Sequence, residues 1–285
     1  MKNRILSVLG GALAIAGITL VLGTSNVALA SGGGHSPAKQ SWSFAGPFGQ
    51  YDKAQLRRGF QVFKEICAAC HGMKYVAFRN LAQPGGPEFT EDEAKAIAAE
   101  YSVVDGPNAD GEMFDRPAKL SDRWPSPFPN DESAKVANNG AVPPDFSLLA
   151  KARAPERGFP WFVFDIFTTY QENGPDYIYA LLHGYHDEPP HGIEIPDGLF
   201  YNEVFVGGPA IAMVKPIDDG MIEYADGTEP TLDNYSRDVA AFMMWAAEPS
   251  LNTRKRTGTA VILYLIVLGA LVYLAKRRVW SSVDH

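Results

Sequence analysis

A mainly helical domain, exported and tied to a membrane by one C-terminal helix, is what this sequence of 285 residues predicts. Two patterns carry the helices. Leu56, Phe60, Phe63 and Cys67 recur at helical spacing, and Val239, Phe242, Met243 and Ala246 form a second apolar stripe. A third observation carries the anchor: Thr257 to Ala275 is a run of 19 residues without a charge, close to the ~20 needed to cross a bilayer core as a helix. No strong alternating strand pattern competes with these, and no internal repeat is visible.

Taken in chain order, Met1 to Ala30 has a basic start (Lys2, Arg4), an apolar stretch from Ile5 to Leu22, and Ala28-Leu29-Ala30. That is the order of a secretory signal peptide; an uncleaved N-terminal anchor is the alternative, and either one exports the rest. Ser31 to Ser41 is a Gly/Ser-rich leader without periodicity. Asp52 with Gln55 resembles a capping box and opens the first helix, which delivers the cysteines. Thr90 with Glu93 opens a second helix running to about Tyr101. Asp105 to Pro144, rich in Pro, Gly, Asn and Asp, is expected mostly as loop. Short helices fit Asp145 to Arg153 and Pro175 to His183, the latter with proline in its first turn, and Asp187 to Pro216 is again loop-like. The last soluble helix spans Leu232 to Ala247 and is stopped by Pro249. Its apolar stripe wants a partner, and Gly59 on the first helix lets another helix approach closely.

Basic clusters flank the uncharged run on both sides: Arg254, Lys255 and Arg256 before it, Lys276, Arg277 and Arg278 after it. Charge bias therefore chooses no orientation, but the export signal does, placing the body outside and the short tail inside. The expected organisation is a signal peptide at 1–30, an exported domain at 31–253, an anchor with its basic flanks at 254–278, and an inner tail at 279–285. The chain carries −8 overall, but residues 1–30 hold two positive charges and residues 254–285 a surplus of five, so the exported domain carries −15. A surface that acidic rules against nucleic acid and suits a basic partner.

The chemistry lies in Cys67-Ala68-Ala69-Cys70-His71. Two thiols three residues apart on a helical turn can both bond the vinyl carbons of a haem, and the next residue then aims its imidazole at the iron. A thioredoxin-like redox pair would need a strand before Cys67, and none is indicated; a lone disulfide is the other competing reading. The sixth iron ligand decides the chemistry, because a Met thioether makes an electron-transfer haem whereas a vacant position suits ligand binding or catalysis. Met73 is too near in sequence to reach the opposite face. Met243 and Met244 fall on the last soluble helix, where a core role is the default. Met213 lies between Pro209 and Pro216 in an apolar, non-helical stretch that suits a held ligand. Spacing alone leaves Met113 and Met221 open, as it does a bis-histidine site through His183, His186 or His191. Arg153 is a candidate partner for the haem propionates.

With these residues in view, the chain resembles the cytochrome c1 family, the haem subunits of cytochrome bc1 complexes. The resemblance covers nearly the whole mature chain. It is carried by Arg57-Arg58-Gly59-Phe60, by Cys67 to Met73, by Asn138 to Ser147, by Ala152-Arg153-Ala154, and by Asp176 to Tyr179. Further along come Ile211-Ala212-Met213, Glu223 to Gly227, and Trp245-Ala246-Ala247-Glu248-Pro249 just before the terminal span. It implies a class I-like c-type cytochrome fold with long loop insertions and one C-terminal transmembrane helix. It also implies one covalent haem c, bound through Cys67 and Cys70 and ligated axially by His71 and Met213. Asn138, Pro143, Pro144, Arg153 and Tyr177 would line the haem, with the Pro144 carbonyl meeting the His71 ring and Arg153 a propionate. Such a chain is an electron carrier without substrate chemistry of its own, placed in the bacterial inner membrane with its haem domain periplasmic and its C-terminus cytoplasmic. Its implied partners are cytochrome b and a Rieske iron–sulfur protein as donor, and a soluble or anchored c-type cytochrome as acceptor in a respiratory or photosynthetic chain. Two departures stand out. The extra cysteine pair that clamps the sixth-ligand loop in some bacterial relatives is missing, and an aromatic-rich insertion (Trp161, Phe162, Phe164, Phe167, Tyr170) separates Arg153 from Pro175; it is either core or a contact with a partner.

The mature chain is expected to start near Ser31 and to be heavier than its sequence by one haem. Intact-mass measurement checks both, and free thiols at Cys67 and Cys70 would refute the second.

Overall fold

The computed structural model describes residues 37–155, 158–168 and 172–282. The expected signal peptide at 1–30, the start of the leader and Tyr170 lie outside them. In chain order the elements are α1 (Lys53–Glu65), 3-10 turns at Cys67–Ala69 and Phe78–Ala82, α2 (Glu91–Ala99), β1 (Ser102–Asp105) and β2 (Phe114–Pro117). There follow α3 (Asp131–Ala137), α4 (Leu149–Ala152), α5 (Trp161–Thr168), α6 (Asn173–His183), β3 (Phe200–Tyr201), β4 (Ala210–Ile211), α7 (Leu232–Ala247), α8 (Leu251–Val279) and a last 3-10 turn at Trp280–Ser282. The protein is mainly helical, as its apolar spacing predicts.

Helix α1 starts where Asp52 accepts a hydrogen bond from the Gln55 N–H at 2.9 Å. The expected box is only half made: the Asp52 N–H donates to Ser43 Oγ at 3.2 Å and not to the Gln55 side chain. At α2 both halves of the box form, through Thr90 and Glu93. The apolar stripe of α1 buries Leu56, Phe60, Val62 and Phe63 against α7. The two helices meet at Gly59. A Cβ there would stand 2.0 Å from the Asp238 carbonyl oxygen and 2.7 Å from Phe242 Cβ, so only glycine permits this approach. Phe242 lies 5.7 Å from both Phe60 and Phe63, ring centre to ring centre. Arg58 forks onto Asp238 (2.7 and 3.2 Å) across the same crossing. Asp238 is 2% exposed, so removing the arginine would strand a buried carboxylate at a cost of ~3–5 kcal/mol.

The loops differ from the sequence expectation in three places. Asp105 to Pro144, read as loop, holds the antiparallel β1–β2 pair, with Ser102 opposite Pro117 and Asp105 opposite Phe114. Four residues per strand are too few to print an alternation, and the pair is clamped by Arg116 between Asp105 and Asp122. The same stretch holds α3, capped by Asn130, which accepts from the Ser133 N–H at 2.9 Å. Helix α4 is shorter than the Asp145–Arg153 segment expected, because Asp145, Phe146 and Ser147 are bonded to residues 72–75 instead. A two-residue ladder, β3–β4, interrupts the expected loop from Asp187 to Pro216.

Helix α8 contains the whole uncharged run and has no buried residue within its most apolar window, whose mean hydropathy is 2.3. A helix that is apolar all round and covered by no protein belongs in lipid. The 19 residues from Thr257 to Ala275 cover about 28 Å at ~1.5 Å per residue, against ~30 Å of hydrocarbon.

Replacing Gly59 with Ala is expected to destabilise the chain. Better helix propensity adds at most ~1 kcal/mol, whereas a methyl forced against backbone costs ~1–3 kcal/mol. Thermal unfolding of the full chain in detergent checks this, and a midpoint at or above that of the unsubstituted protein would contradict the helix crossing.

Candidate functional site

The two cysteines sit where α1 tightens into a 3-10 turn. The Cys70 and His71 N–H groups both donate to the Cys67 carbonyl, at 3.1 and 2.9 Å. This turn presents the two thiols and the imidazole within five residues, and both cysteines are free of a disulfide. Burial, then the neighbouring Cys70, pushes the Cys67 thiol up to about 12, the opposite of the activated thiolate of a redox C-x-x-C pair.

His71 is 8% exposed and stacked on Phe146, with ring centres 4.2 Å apart. Its Nδ1 lies 2.8 Å from the Pro144 carbonyl oxygen. A carbonyl only accepts, so Nδ1 carries the proton and Nε2 keeps its lone pair. Among the described residues Nε2 has no hydrogen-bond partner. Desolvation, only partly opposed by the Pro144 bond, lowers the pKa of the ring and favours its neutral form. A buried neutral imidazole with one unshared lone pair, next to two cysteines free of a disulfide, fits the iron of a covalently attached haem. A protein-only metal site does not fit, since the described residues hold no cluster of three His, Cys, Asp or Glu that could bind an ion.

What holds His71 in place is a zipper between residues 71–75 and 144–147. The Phe146 N–H donates to the Gly72 carbonyl (2.8 Å), the Lys74 N–H to Asp145 (2.8 Å), and the Tyr75 N–H to Ser147 Oγ (3.0 Å). The next loop back reaches the Met213 segment, where Asn139 Nδ2 donates to the Ala212 carbonyl at 3.3 Å. Tyr185 hydroxyl donates to the Met213 carbonyl at 3.0 Å, so two side chains from separate loops hold this stretch just after β4.

The other residues singled out in the sequence are placed as follows. Pro143 precedes the Pro144 carbonyl in the same loop. Asn138 closes the end of α3, donating to the Ala134 carbonyl at 2.7 Å. Tyr177 is buried on α6, and its hydroxyl accepts from the Val206 N–H at 3.4 Å. Burial raises its pKa, while the Val206 bond and then the positive field of exposed Arg153 oppose that shift. Among the alternatives to Met213, Met113 and Met221 are exposed, and Met243 and Met244 are core. His183 Nδ1 is 2.8 Å from the Tyr179 carbonyl of its own helix, and His186 lies 3.4 Å from Glu203. Sequence reasoning did not single out Asn139, Asp145, Phe146, Ser147 or Tyr185. The first four lie inside the Asn138–Ser147 motif, which is the one signal that could have found them; Tyr185 had none.

A helical domain with C-x-x-C-H at the end of its first helix, a proximal imidazole fixed by a backbone carbonyl and a C-terminal membrane helix defines a membrane-anchored c-type cytochrome. The comparisons narrow this. The model of the Cytochrome C1 family matches residues 42–283. Cytochrome c1 of Blastochloris viridis is 51% identical over 94% of this chain and 96% of its own length. Cytochrome c1 of Rhodospirillum rubrum is 44% identical over 96% of this chain and 97% of its own. A protein named cytochrome b/c1 in Bradyrhizobium diazoefficiens is 49% identical over 99% of this chain, which spans 42% of that relative's length. The chain belongs to the cytochrome c1 family, whose members are electron carriers with covalent haem c.

Proposed function

We propose that this chain takes single electrons from a Rieske iron–sulfur protein, beside cytochrome b in one membrane complex, and passes them to a c-type cytochrome, soluble or anchored. The observation that carries the reading is the buried His71, with Nδ1 committed to the Pro144 carbonyl and Nε2 free. Haem c, when bound, supplies the one-electron iron couple. Cys67 and Cys70 would hold it by thioethers, and His71 Nε2 and the Met213 thioether would ligate its iron. The Pro144 carbonyl keeps the imidazole in one tautomer and orientation, and Asn138, Pro143, Arg153 and Tyr177 line the pocket. Fastening the segment through Asn139 and Tyr185 supplies rigidity without a disulfide clamp. The name of the Bradyrhizobium diazoefficiens relative, which couples b with c1, supports cytochrome b as the partner in the membrane. On this reading residues 31–253 are periplasmic once the signal at 1–30 is removed, 254–278 anchor the chain in a bacterial plasma membrane, and 279–285 are cytoplasmic.

Met213→Leu keeps volume and apolarity but removes the sulfur lone pair. Packing is expected to survive while the reduction potential falls, because thioether ligation raises it; an unchanged potential in redox titration would assign the ligand elsewhere.

The −15 of residues 31–253 is expected to steer a basic acceptor. Opposed charge raises association rates by ~10–1000-fold at low ionic strength, and salt screens exposed charges beyond ~8–10 Å. The rate at which the complex reduces a basic c-type cytochrome should therefore fall steeply as salt rises. A rate that stays flat or climbs would make the acidity a solubility feature and point to an apolar or acidic acceptor.

A further inference from the structure

The aromatic insertion is absorbed by nothing described so far. From Gly158 to Thr168 it carries a single charge, Asp165. Phe159, Trp161 and Phe164 are 82, 53 and 55% exposed, and among the described residues none from 153 to 171 belongs to the core or its packed rim. Scattered exposed apolar side chains need no explanation; three large aromatics within six residues do.

The roots of the insertion say which way it leaves the body. Helix α4 starts three residues after Phe146, which stacks on His71, and carries in its only turn Lys151, which pairs with Glu248. Glu248 in turn holds Arg254 at 2.6 Å, on the first turn of α8. At the far root, Glu172 accepts from the Gly46 N–H at 3.3 Å, and the Gly46 carbonyl accepts from Lys255 Nζ. Asn173 Nδ2 closes the base on the Pro155 carbonyl at 2.7 Å. Both ends are thus fastened to Arg254 and Lys255, only about 3–4.5 Å along the helix axis from the start of the uncharged run at ~1.5 Å per residue. The chain enters the insertion while travelling from the haem side towards the bilayer. Aromatic side chains at that level are the residues that settle at a membrane–water boundary.

We propose that α5 and the Phe159 turn before it form a second membrane contact, with Phe159, Trp161 and Phe164 seated among the headgroups and upper acyl chains of the leaflet that α8 enters. This rests on α8 as a membrane span and not on the donor, acceptor or axial ligands. The contact gives the haem domain a second point of attachment, which restrains its rotation about α8 where one helix would leave it free.

The test places the photoreactive analogue benzoylphenylalanine at position 164 of the full chain, in the assembled complex in native membranes, and separately at position 159. Asp92, 95% exposed on α2, is the control position. Irradiation followed by mass spectrometry is expected to show this chain gaining the mass of one phospholipid at 164 and 159 and nothing at 92. Joining to another polypeptide, either a different subunit or a second copy, would overturn the proposal in favour of a protein interface. No adduct at either position would overturn it in favour of exposure to water. The haem absorbance of each variant establishes that its fold is intact.

Discussion

Helices α1 and α7 touch backbone to backbone at Gly59, and the positions of both ends of this protein follow from that crossing. Helix α1 runs on into the turn that bears Cys67, Cys70 and His71. Helix α7 runs on, past Pro249, into α8. Locking the two together at a site that admits no Cβ therefore fixes the haem-binding turn relative to the membrane root. Apolar and charged terms act in concert there. Phe60, Phe63 and Phe242 supply area, at ~1.5–3 kcal/mol for each fully buried side chain. The Arg58–Asp238 fork adds little net stability, since its desolvation offsets most of its attraction, but it penalises any other register by leaving Asp238 buried and unpaired.

The second constraint is the zipper of residues 71–75 with 144–147. A proximal histidine needs more than a place in the chain: one nitrogen must be protonated, the other must keep its lone pair, and the ring must not turn. The Pro144 carbonyl satisfies the first two conditions at 2.8 Å, and stacking on Phe146 at 4.2 Å satisfies the third. The carbonyl is itself held because Asp145, Phe146 and Ser147 have their polar groups committed to residues 72–75. Such a site holds the imidazole from the protein side, through one hydrogen bond and one ring stack.

At the other end, opposite charges meet in a narrow band. The strongly acidic haem domain gives way to Arg254, Lys255 and Arg256, and two of these reach back into the body. Arg254 and Lys151 share Glu248, while Lys255 is drawn in to donate to the Phe44 carbonyl at 2.6 Å. Tyr51 hydroxyl joins the same band, 3.1 Å from the Met244 carbonyl. The anchor is thereby joined to the domain by a braced corner, not by a free linker, and the aromatic insertion springs from that corner.

By itself the sequence determined everything that depends on local chemistry. The C-x-x-C-H turn, the Asp52 and Thr90 caps, the apolar stripes of α1 and α7, the stop at Pro249 and the uncharged span are each encoded in a few neighbouring residues, and all but half of the Asp52 box stand in the structure as read. The close approach at Gly59 was legible too, because only a missing side chain announces it. Tertiary structure alone decided the rest. The β1–β2 pair is clamped by Arg116 reaching one acid on the facing strand and another beyond its own, a meeting that periodicity does not record. The shortening of α4 came from Asp145 and Ser147 finding better partners across the fold than along their own helix. That Asn139 and not Asn138 reaches the Met213 segment, and that Tyr185 bonds its backbone, follows from loop paths whose hydrogen bonds join residues up to 73 positions apart. Local propensity reports what a segment can be; which polar groups remain to be satisfied, and by whom, is settled only when distant segments are brought together and water is excluded.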